Sequence, residues 1–278
     1  MAHATPHIHD ATALAHRLED ACRALESAVV AYSGGVDSAV VLAAAHRVLG
    51  QRMVGLMALS PSFPSWELAD AQAQAGAVGA ELVVARTDEL SNPRYAANTG
   101  DRCYFCKSAL FDACERARTE RGFRAIAYGA NLDDLGDDRP GHLAARERGI
   151  ASPLIDAGLN KAAVRRVAAH YGLSSADKPA LACLSSRFPT GTPIDAERLA
   201  RVGQAERVLV DLGFRRVRVR FHDELARIEV DPEDLPRLLQ PATRALAVAG
   251  VRAAGFRHVT VDLEGYRMGG ANRLTVLS

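Results

Sequence analysis

Ala28-Val-Val-Ala-Tyr-Ser-Gly-Gly-Val-Asp-Ser38 is the stretch whose reading decides the fold: an apolar run breaks at a Ser/Gly turn and restarts as a helix. Ala28 to Tyr32 reads as a buried strand, being apolar, partly β-branched and stopped by Gly34-Gly35. From Val36 to Leu49, Val36, Val40, Val41 and Ala44 keep to one helical stripe, and Gly50 supplies an end signal. A strand, a glycine turn and a helix start together make an anion site. Backbone N–H groups and the positive end of the helix dipole converge there, and glycine lets the backbone approach an oxygen closely. On this reading Ser33, Gly34, Gly35 and Ser38 bind phosphate, and Asp37 is placed to help hold Mg²⁺ on it.

The string lacks the lysine of a Walker A loop and the spacing of a dinucleotide fingerprint. It resembles the pyrophosphate loop (PP-loop) of ATP pyrophosphatases. That resemblance implies ATP cleaved to AMP and pyrophosphate, with AMP placed on a substrate oxygen to make a leaving group.

Further along, strands at Met53–Leu59, Glu81–Ala85 and Arg124–Gly129 alternate with helical patterns before and between them. This order argues an α/β fold with a parallel sheet covered on both faces. Ligands of such a sheet bind beyond the carboxyl ends of the strands, where Ser33, Ser60 and Gly129 fall, so Gly129 is expected near the nucleotide. Asp88–Asp101 reads as a polar loop, and residues 131–141, with Asp133, Asp134, Asp137, Asp138 and Arg139, as a solvated acidic loop or part of the site. The Ser-, Pro- and Gly-rich stretch Lys178–Gly191 marks a boundary between domains at 1–185 and 186–278. Beyond it a helix, two strands, a helix over Pro232–Ala249 and a strand over His258–Leu263 predict a small α+β domain.

Composition narrows the class. A chain of 278 residues with 48% hydrophobic content builds a sizeable core, and a formal net charge of +1 gives no global pull toward nucleic acid. Five irregularly spaced cysteines do not make a disulfide framework and fit a reducing cytoplasm. No apolar run is long enough for a membrane span, so neither a membrane nor a nucleic-acid partner is expected; a homo-oligomer is.

Two further constellations carry chemistry. Cys103-Tyr-Phe-Cys106 is half a zinc site, a redox dithiol or a pair of buried thiols, and Cys183 adds a third thiolate from a loop. Three thiolates suit an iron–sulfur cluster with one open iron better than a structural zinc, which takes four protein ligands. Cys22 and Cys114 fall within helical patterns and read as core. Arg216, Arg218 and Arg220 alternate with Val217, Val219 and Phe221, which puts three guanidinium groups on one strand face. They repel one another unless an anion or a carboxylate such as Glu229 compensates.

The PP-loop, Asp138-Arg-Pro-Gly141, Ser185-Ser-Arg-Phe-Pro-x-Gly191, Val217-Arg-Val-Arg-Phe-His222 and Ala226-Arg-Ile-Glu229 together resemble the LarE family, from about Leu14 to Leu274. These are ATP-dependent sulfur transferases that help build the nickel-pincer nucleotide cofactor of lactate racemase. The resemblance implies adenylylation of a pyridinium carboxylate mononucleotide, release of pyrophosphate, and delivery of sulfur to give a thiocarboxylate. It also implies that Cys103, Cys106 and Cys183 hold a [4Fe–4S] cluster or that Cys183 donates its own sulfur. Arg187, Arg218 and Arg220 become candidates for the substrate's phosphate and carboxylate, with Glu206 and Glu229 orienting arginine or binding metal. Two rivals stand beside it: a PP-loop tRNA thiolase, which needs an RNA-binding surface, and a non-catalytic ATP-binding module, which leaves the three cysteines unexplained.

Overall fold

The computed structural model describes residues 6–135, 140–179 and 182–267, with the side chains of 6–9 excepted. Asp137, Asp138 and Arg139 of the acidic loop lie outside the described residues. The chain forms two compact units: Met1–Ser60, Glu67–Glu89 and Cys103–Leu181 make the first, and Pro61–Trp66, Leu90–Arg102 and Ala182–Ser278 the second. The second unit therefore draws two segments from upstream of residue 182, out of the loops that follow two strands of the first.

The first unit is an α/β layer structure. In chain order it runs α1 (Pro6–Arg23), β1 (Ala28–Ala31), α2 (Val36–Leu49), β2 (Met53–Leu59), α3 (Trp66–Val78), β3 (Leu82–Arg86); a short α4 (Pro93–Ala96) belongs to the second unit. Then come α5 (Arg102–Arg121), β4 (Ala125–Tyr128), α6 (Pro140–Glu147), α7 (Pro153–Asp156) and α8 (Lys161–His170). The four strands pair all-parallel in the order β3-β2-β1-β4. β1 is buried along its whole length, as its unbroken apolar sequence requires of a central strand. Val29, Ala31, Val54, Leu56, Ile126 and Tyr128 share a core with Phe111 and Cys114 of α5. Cys22 is equally buried, so both cysteines read as core are core. From β1 the chain steps outward through β2 to β3, then returns to the opposite side of β1 for β4. The strand order thus switches direction between β1 and β4, and in open α/β sheets that crevice is where ligands bind.

The second unit holds α9 (Ala196–Asp211), β5 (Val217–His222), β6 (Leu225–Val230), α10 (Leu235–Leu239), α11 (Pro241–Ala253) and β7 (His258–Val261). Its sheet is ordered β5-β6-β7, with β5 and β6 antiparallel and β6 and β7 parallel. Val217, Val219 and Phe221 enter the core with Leu199, Val202, Ile228, Val251 and Phe256, confirming the alternation read from the sequence. Two expectations differ. The single helix over 232–249 is a 3-10 turn plus α10 and α11, because Gln240 is held extended at φ −57°, ψ 139° by the proline that follows it. The loop expected at 88–101 contains α4, started by Asn92, whose side chain accepts from Arg94 N, and by Pro93. Among the described residues no helix is long and apolar enough to cross a membrane.

Gly129, just past β4, lies against the first turn of α2: a Cβ there would meet Ser38 N at 2.6 Å and the Asp37 carbonyl carbon at 2.8 Å. Backbone cannot yield as a side-chain tip does. Gly129→Ala is expected to destabilise by roughly 1–3 kcal/mol, the usual range for overpacking. Gly76→Ala in α3, with nothing within 4 Å, is expected to be neutral or to stabilise by up to about 1 kcal/mol. Urea unfolding of both variants measures this, and a Gly129→Ala protein as stable as the parent would deny the close approach.

Candidate functional site

At the end of β1 the Tyr32 hydroxyl hydrogen-bonds Ala71 O at 3.0 Å and Gln74 Oε1 at 2.9 Å, fixing the strand terminus to α3. The chain then turns through Gly34 at φ +78°, a left-handed conformation that glycine adopts without strain. Gly35 caps α2 in extended conformation. Ser38 Oγ accepts from Ser33 N at 3.1 Å, donates to Gly35 O at 3.0 Å and shares a 3.1 Å hydrogen bond with Ser33 Oγ. The two serines therefore lace the turn to the first turn of the helix. The leading N–H groups of α2 have no partner within the helix, and the dipole is positive at that end, so the turn presents a preformed anion cradle.

Around it stand residues from the neighbouring strand ends. Asp37 Oδ2 pairs with Lys161 Nζ at the start of α8, and its Oδ1 accepts from Asn131 Nδ2 at 3.3 Å. Buried Asn131 caps a 3-10 turn in a reciprocal capping box, its Oδ1 accepting from Asp133 N while Asp134 Oδ2 accepts from Asn131 N. Asp133 Oδ2 in turn accepts from Lys161 N at 2.9 Å. The two described acidic residues of this loop are thus structural acceptors. Mg²⁺ that rides on bound phosphates takes one or two carboxylates together with phosphate oxygens. Asp37, beside the cradle, fits that demand.

In the second unit the arginines have distinct tasks. Arg187, fully buried, makes a fork-to-fork pair with Glu206 at 2.8 and 2.7 Å, and its Nη1 donates to the carbonyls of Ala182 at 2.7 Å and Cys183 at 2.8 Å. Glu206 Oε1 also accepts from Val219 N at 2.8 Å. Arg220 forks onto Glu229 at 2.9 and 2.7 Å and donates to Ser186 O at 3.0 Å, with Arg227 also on Glu229 at 3.1 Å. Glu229 is the compensating carboxylate the strand pattern called for. Arg218 lies 5.3 Å from the Tyr266 ring centroid and donates to Val217 O at 2.7 Å. Burial, and next the Arg187 charge, pull its pKa below the usual arginine value. An anion at Arg218 would relieve both. His222, on the same face, is pushed down by burial and then by the Arg227 charge, and so stays neutral at neutral pH.

Cys183 opens the 3-10 turn Leu184–Arg187. Its carbonyl accepts from Ser186 N at 3.0 Å and Ser186 Oγ at 2.8 Å, Leu184 N donates to Ser62 O at 2.8 Å, and Ser185 Oγ shares a 2.7 Å bond with the Tyr95 hydroxyl. Exposed Cys103 and half-buried Cys106 stand one turn apart at the start of α5 in the first unit. That spacing fits two ligands of a shared metal group. Among the described residues no three His, Cys, Asp or Glu side chains gather as a metal-holding group, so the fit to a three-cysteine cluster is partial.

No family model matches the chain. Its sequence is 47% identical over 250 residues to an uncharacterized protein of Synechocystis sp., spanning 90% of this chain and 93% of that protein. It is 36% identical over 253 residues, 91% of each chain, to the pyridinium-3,5-bisthiocarboxylic acid mononucleotide synthase of Lactiplantibacillus plantarum. The chain belongs to the LarE family. An uncharacterized protein of Methanocaldococcus jannaschii matches at 27% over 239 residues.

In this LarE chain the sequence reading missed Lys161 and Asn131. Both lie far from the glycine turn in sequence, and no motif marks them; the only available signal was the Asn160-Lys161 helix start following an apolar turn. The roles of Arg187 and Arg220 as grips on the Cys183 turn were also invisible, because a strand pattern gives the face of a side chain and not its partner.

The cysteines divide by environment. Cys22 and Cys114 are buried, and burial pushes both thiols up to about 12. Iodoacetamide at pH 8 should therefore modify Cys103, Cys106 and Cys183 in the folded protein and spare the other two until it unfolds, as peptide mass mapping will show. Because the folded pKa of the two core thiols is raised, their contribution to stability is complete below about 8.5, the unfolded thiol value, and is lost as pH climbs toward 12. Modification of Cys22 or Cys114 at the rate of Cys103 would contradict this.

Proposed function

We propose that this LarE-family enzyme activates the carboxylate of a pyridinium mononucleotide with ATP and exchanges the activated oxygen for sulfur. A carboxylate oxygen attacks the α-phosphorus of ATP and forms the new P–O bond as pyrophosphate leaves. The Ser33–Ser38 turn holds the departing pyrophosphate through backbone N–H groups and the two hydroxyls, with Gly34 and Gly35 permitting the approach. Asp37 would hold Mg²⁺, whose contribution there would be to neutralise charge on the phosphates. A sulfur nucleophile then adds to the acyl carbon, and AMP leaves with the C–O bonding electrons to give the thiocarboxylate.

Cys183 is the residue assigned to the sulfur in this reading. As direct donor its thiolate forms the C–S bond, and loss of the Cα proton with cleavage of Cβ–Sγ leaves dehydroalanine and frees the thiocarboxylate. Alternatively, Cys103, Cys106 and Cys183 would hold an iron–sulfur cluster, whose contribution is to bring an external sulfide. Arg218 takes the mononucleotide's phosphate or carboxylate, with Arg220 and Glu229 beside it, while Arg187 and Glu206 set the Cys183 turn. The observation that carries the proposal is the laced glycine turn at the head of α2 in a chain 36% identical over 91% of its length to a bisthiocarboxylic acid mononucleotide synthase. Neither a tRNA thiolase nor a bare ATP-binding module accounts for that identity.

Incubated anaerobically with Mg–ATP, sulfide and a pyridinium carboxylate mononucleotide, the protein should release pyrophosphate and give a product bearing sulfur for oxygen by mass. Asp37→Ala should abolish the release while keeping the fold. Arg218→Lys should weaken calorimetric binding of the mononucleotide by about 1–3 kcal/mol, one charge-assisted contact, and leave ATP binding unchanged. Iron and sulfide analysis, set against loss of one H₂S from Cys183 after turnover, separates the two sulfur routes. Pyrophosphate release by Asp37→Ala at the parent rate would sink the assignment of the turn.

A further inference from the structure

At the amino-terminal end of β4, opposite the end that meets the glycine turn, the first unit carries a cleft of about 490 Å³ that the proposed reaction does not use. The four residues of β4 separate the two ends by roughly 10 Å of strand. β4 is an edge strand, bridged on its outer side where Ala127 meets Ala151, and the cleft lies along that edge before the bridge. Ala125, Ile126 and Ile150 give it an apolar wall, backed by the fully buried Phe111 ring. Three arginines from three segments join that wall: Arg118 near the end of α5, Arg124 just before β4 and Arg148 just after α6.

We propose that this cleft binds a small aromatic carboxylate, with the ring against Ile126 and Ile150 and the carboxylate on Arg148 and Arg124. Arg118 is the fixed part of the rim. It forks onto Glu115, with Nε to Oε2 at 3.0 Å, and its Nη1 donates to Phe123 O at 3.2 Å. Arg148 and Arg124 are held more lightly: among the described residues each side chain donates from Nη1 alone, Arg148 to Asp112 and Arg124 to Glu26 at 2.7 Å. Most of the N–H donors of these two planar groups therefore stay available, and a carboxylate takes such donors two at a time. Their present partners can be displaced, since the Arg148 and Asp112 side chains are 35% and 55% exposed, the Arg124 and Glu26 side chains more so, and water screens both pairs. Phosphate would use the arginines and leave the apolar wall wet; a neutral ring would use the wall and leave the arginines as they are. An anion with a flat apolar body uses both.

Titration of the full chain with sodium benzoate, followed by amide NMR, tests this. Saturable shifts are expected at the amides of Ile126, Gly149 and Ile150. Arg148→Gln should weaken benzoate about tenfold or more, the loss of one charge-assisted contact. Asp112→Asn should act in the opposite direction and tighten benzoate several-fold, because it removes the carboxylate that competes for Arg148. Benzyl alcohol and inorganic phosphate, each lacking one half of the recognition, should bind at least about tenfold more weakly than benzoate. Absence of a saturable shift at the cleft overturns the inference, as does parent-like affinity in Arg148→Gln or benzyl alcohol bound as tightly as benzoate. A loss of benzoate in Asp112→Asn equal to that in Arg148→Gln overturns it too, since the pair would then serve only to shape the wall. None of these readings depends on the glycine turn, so pyrophosphate release judges the proposed reaction separately.

Discussion

The backbone of the segment after β4 touches the backbone of the first turn of α2 at Gly129, and the geometry of the first unit's ligand end depends on that contact. No side chain fits between them. The helix start is therefore pinned over the carboxyl end of β1 from one side by β4 and tied from the other by the Ser33–Ser38 hydroxyl lacing. A helix N-terminus held this way keeps its leading amides aimed at one point with little freedom left to lose when an anion arrives. The same proximity carries the Asn131 turn and the head of α8 to the cradle, since both follow β4 in the chain and are joined to each other where Leu132 N donates to Leu159 O.

The second unit solves a different problem with different means. Arg187–Glu206 and Arg220–Glu229 are buried fork-to-fork pairs, and such pairs are weak contributors to net stability because desolvation offsets their attraction. Their value lies in direction. Each carboxylate fixes one side of a planar guanidinium, and the remaining N–H groups then point to backbone carbonyls of the turn that holds Cys183. A hydrophobic pair of equal volume would fill the space and leave residues 182–186 without those anchors. Arg218, half-buried on the same strand face, is pulled below the usual arginine pKa by desolvation and next by the Arg187 charge.

Local patterns carried the fold. The apolar run into Gly34-Gly35 gave β1, the turn and α2 with nearly the observed limits, and period-2 alternation placed Val217, Val219 and Phe221 in the core. What failed was short or non-local. α4 is one turn long, too short for any helical period to show, and the break at Pro241 was overridden by the apolar stripe on either side of it. The excursions of 61–66 and 90–102 into the second unit leave no compositional trace, because a loop that joins another core uses the same polar and turn residues as one that does not. Of the site residues, those in one contiguous string were legible. Lys161 and Asn131 come from separate segments, and only tertiary structure brings them to Asp37.

The contrast between the two units bears on the proposed reaction. In that proposed reaction pyrophosphate formed at the turn would also have to leave it, and a cradle of amides and hydroxyls holds an anion without committing a permanent counter-charge. The Lys161–Asp37 pair beside the cradle is partly exposed and screened by water, so neither side chain is locked in place. The arginines of the second unit have no such freedom. Forked onto buried glutamates and tied to backbone carbonyls of the Cys183 turn, Arg187 and Arg220 are held by several bonds each. On this division the first unit is built for exchange of ligands and the second for fixed orientation, which is the order of demands that an activation step followed by attack of a positioned sulfur makes on a protein.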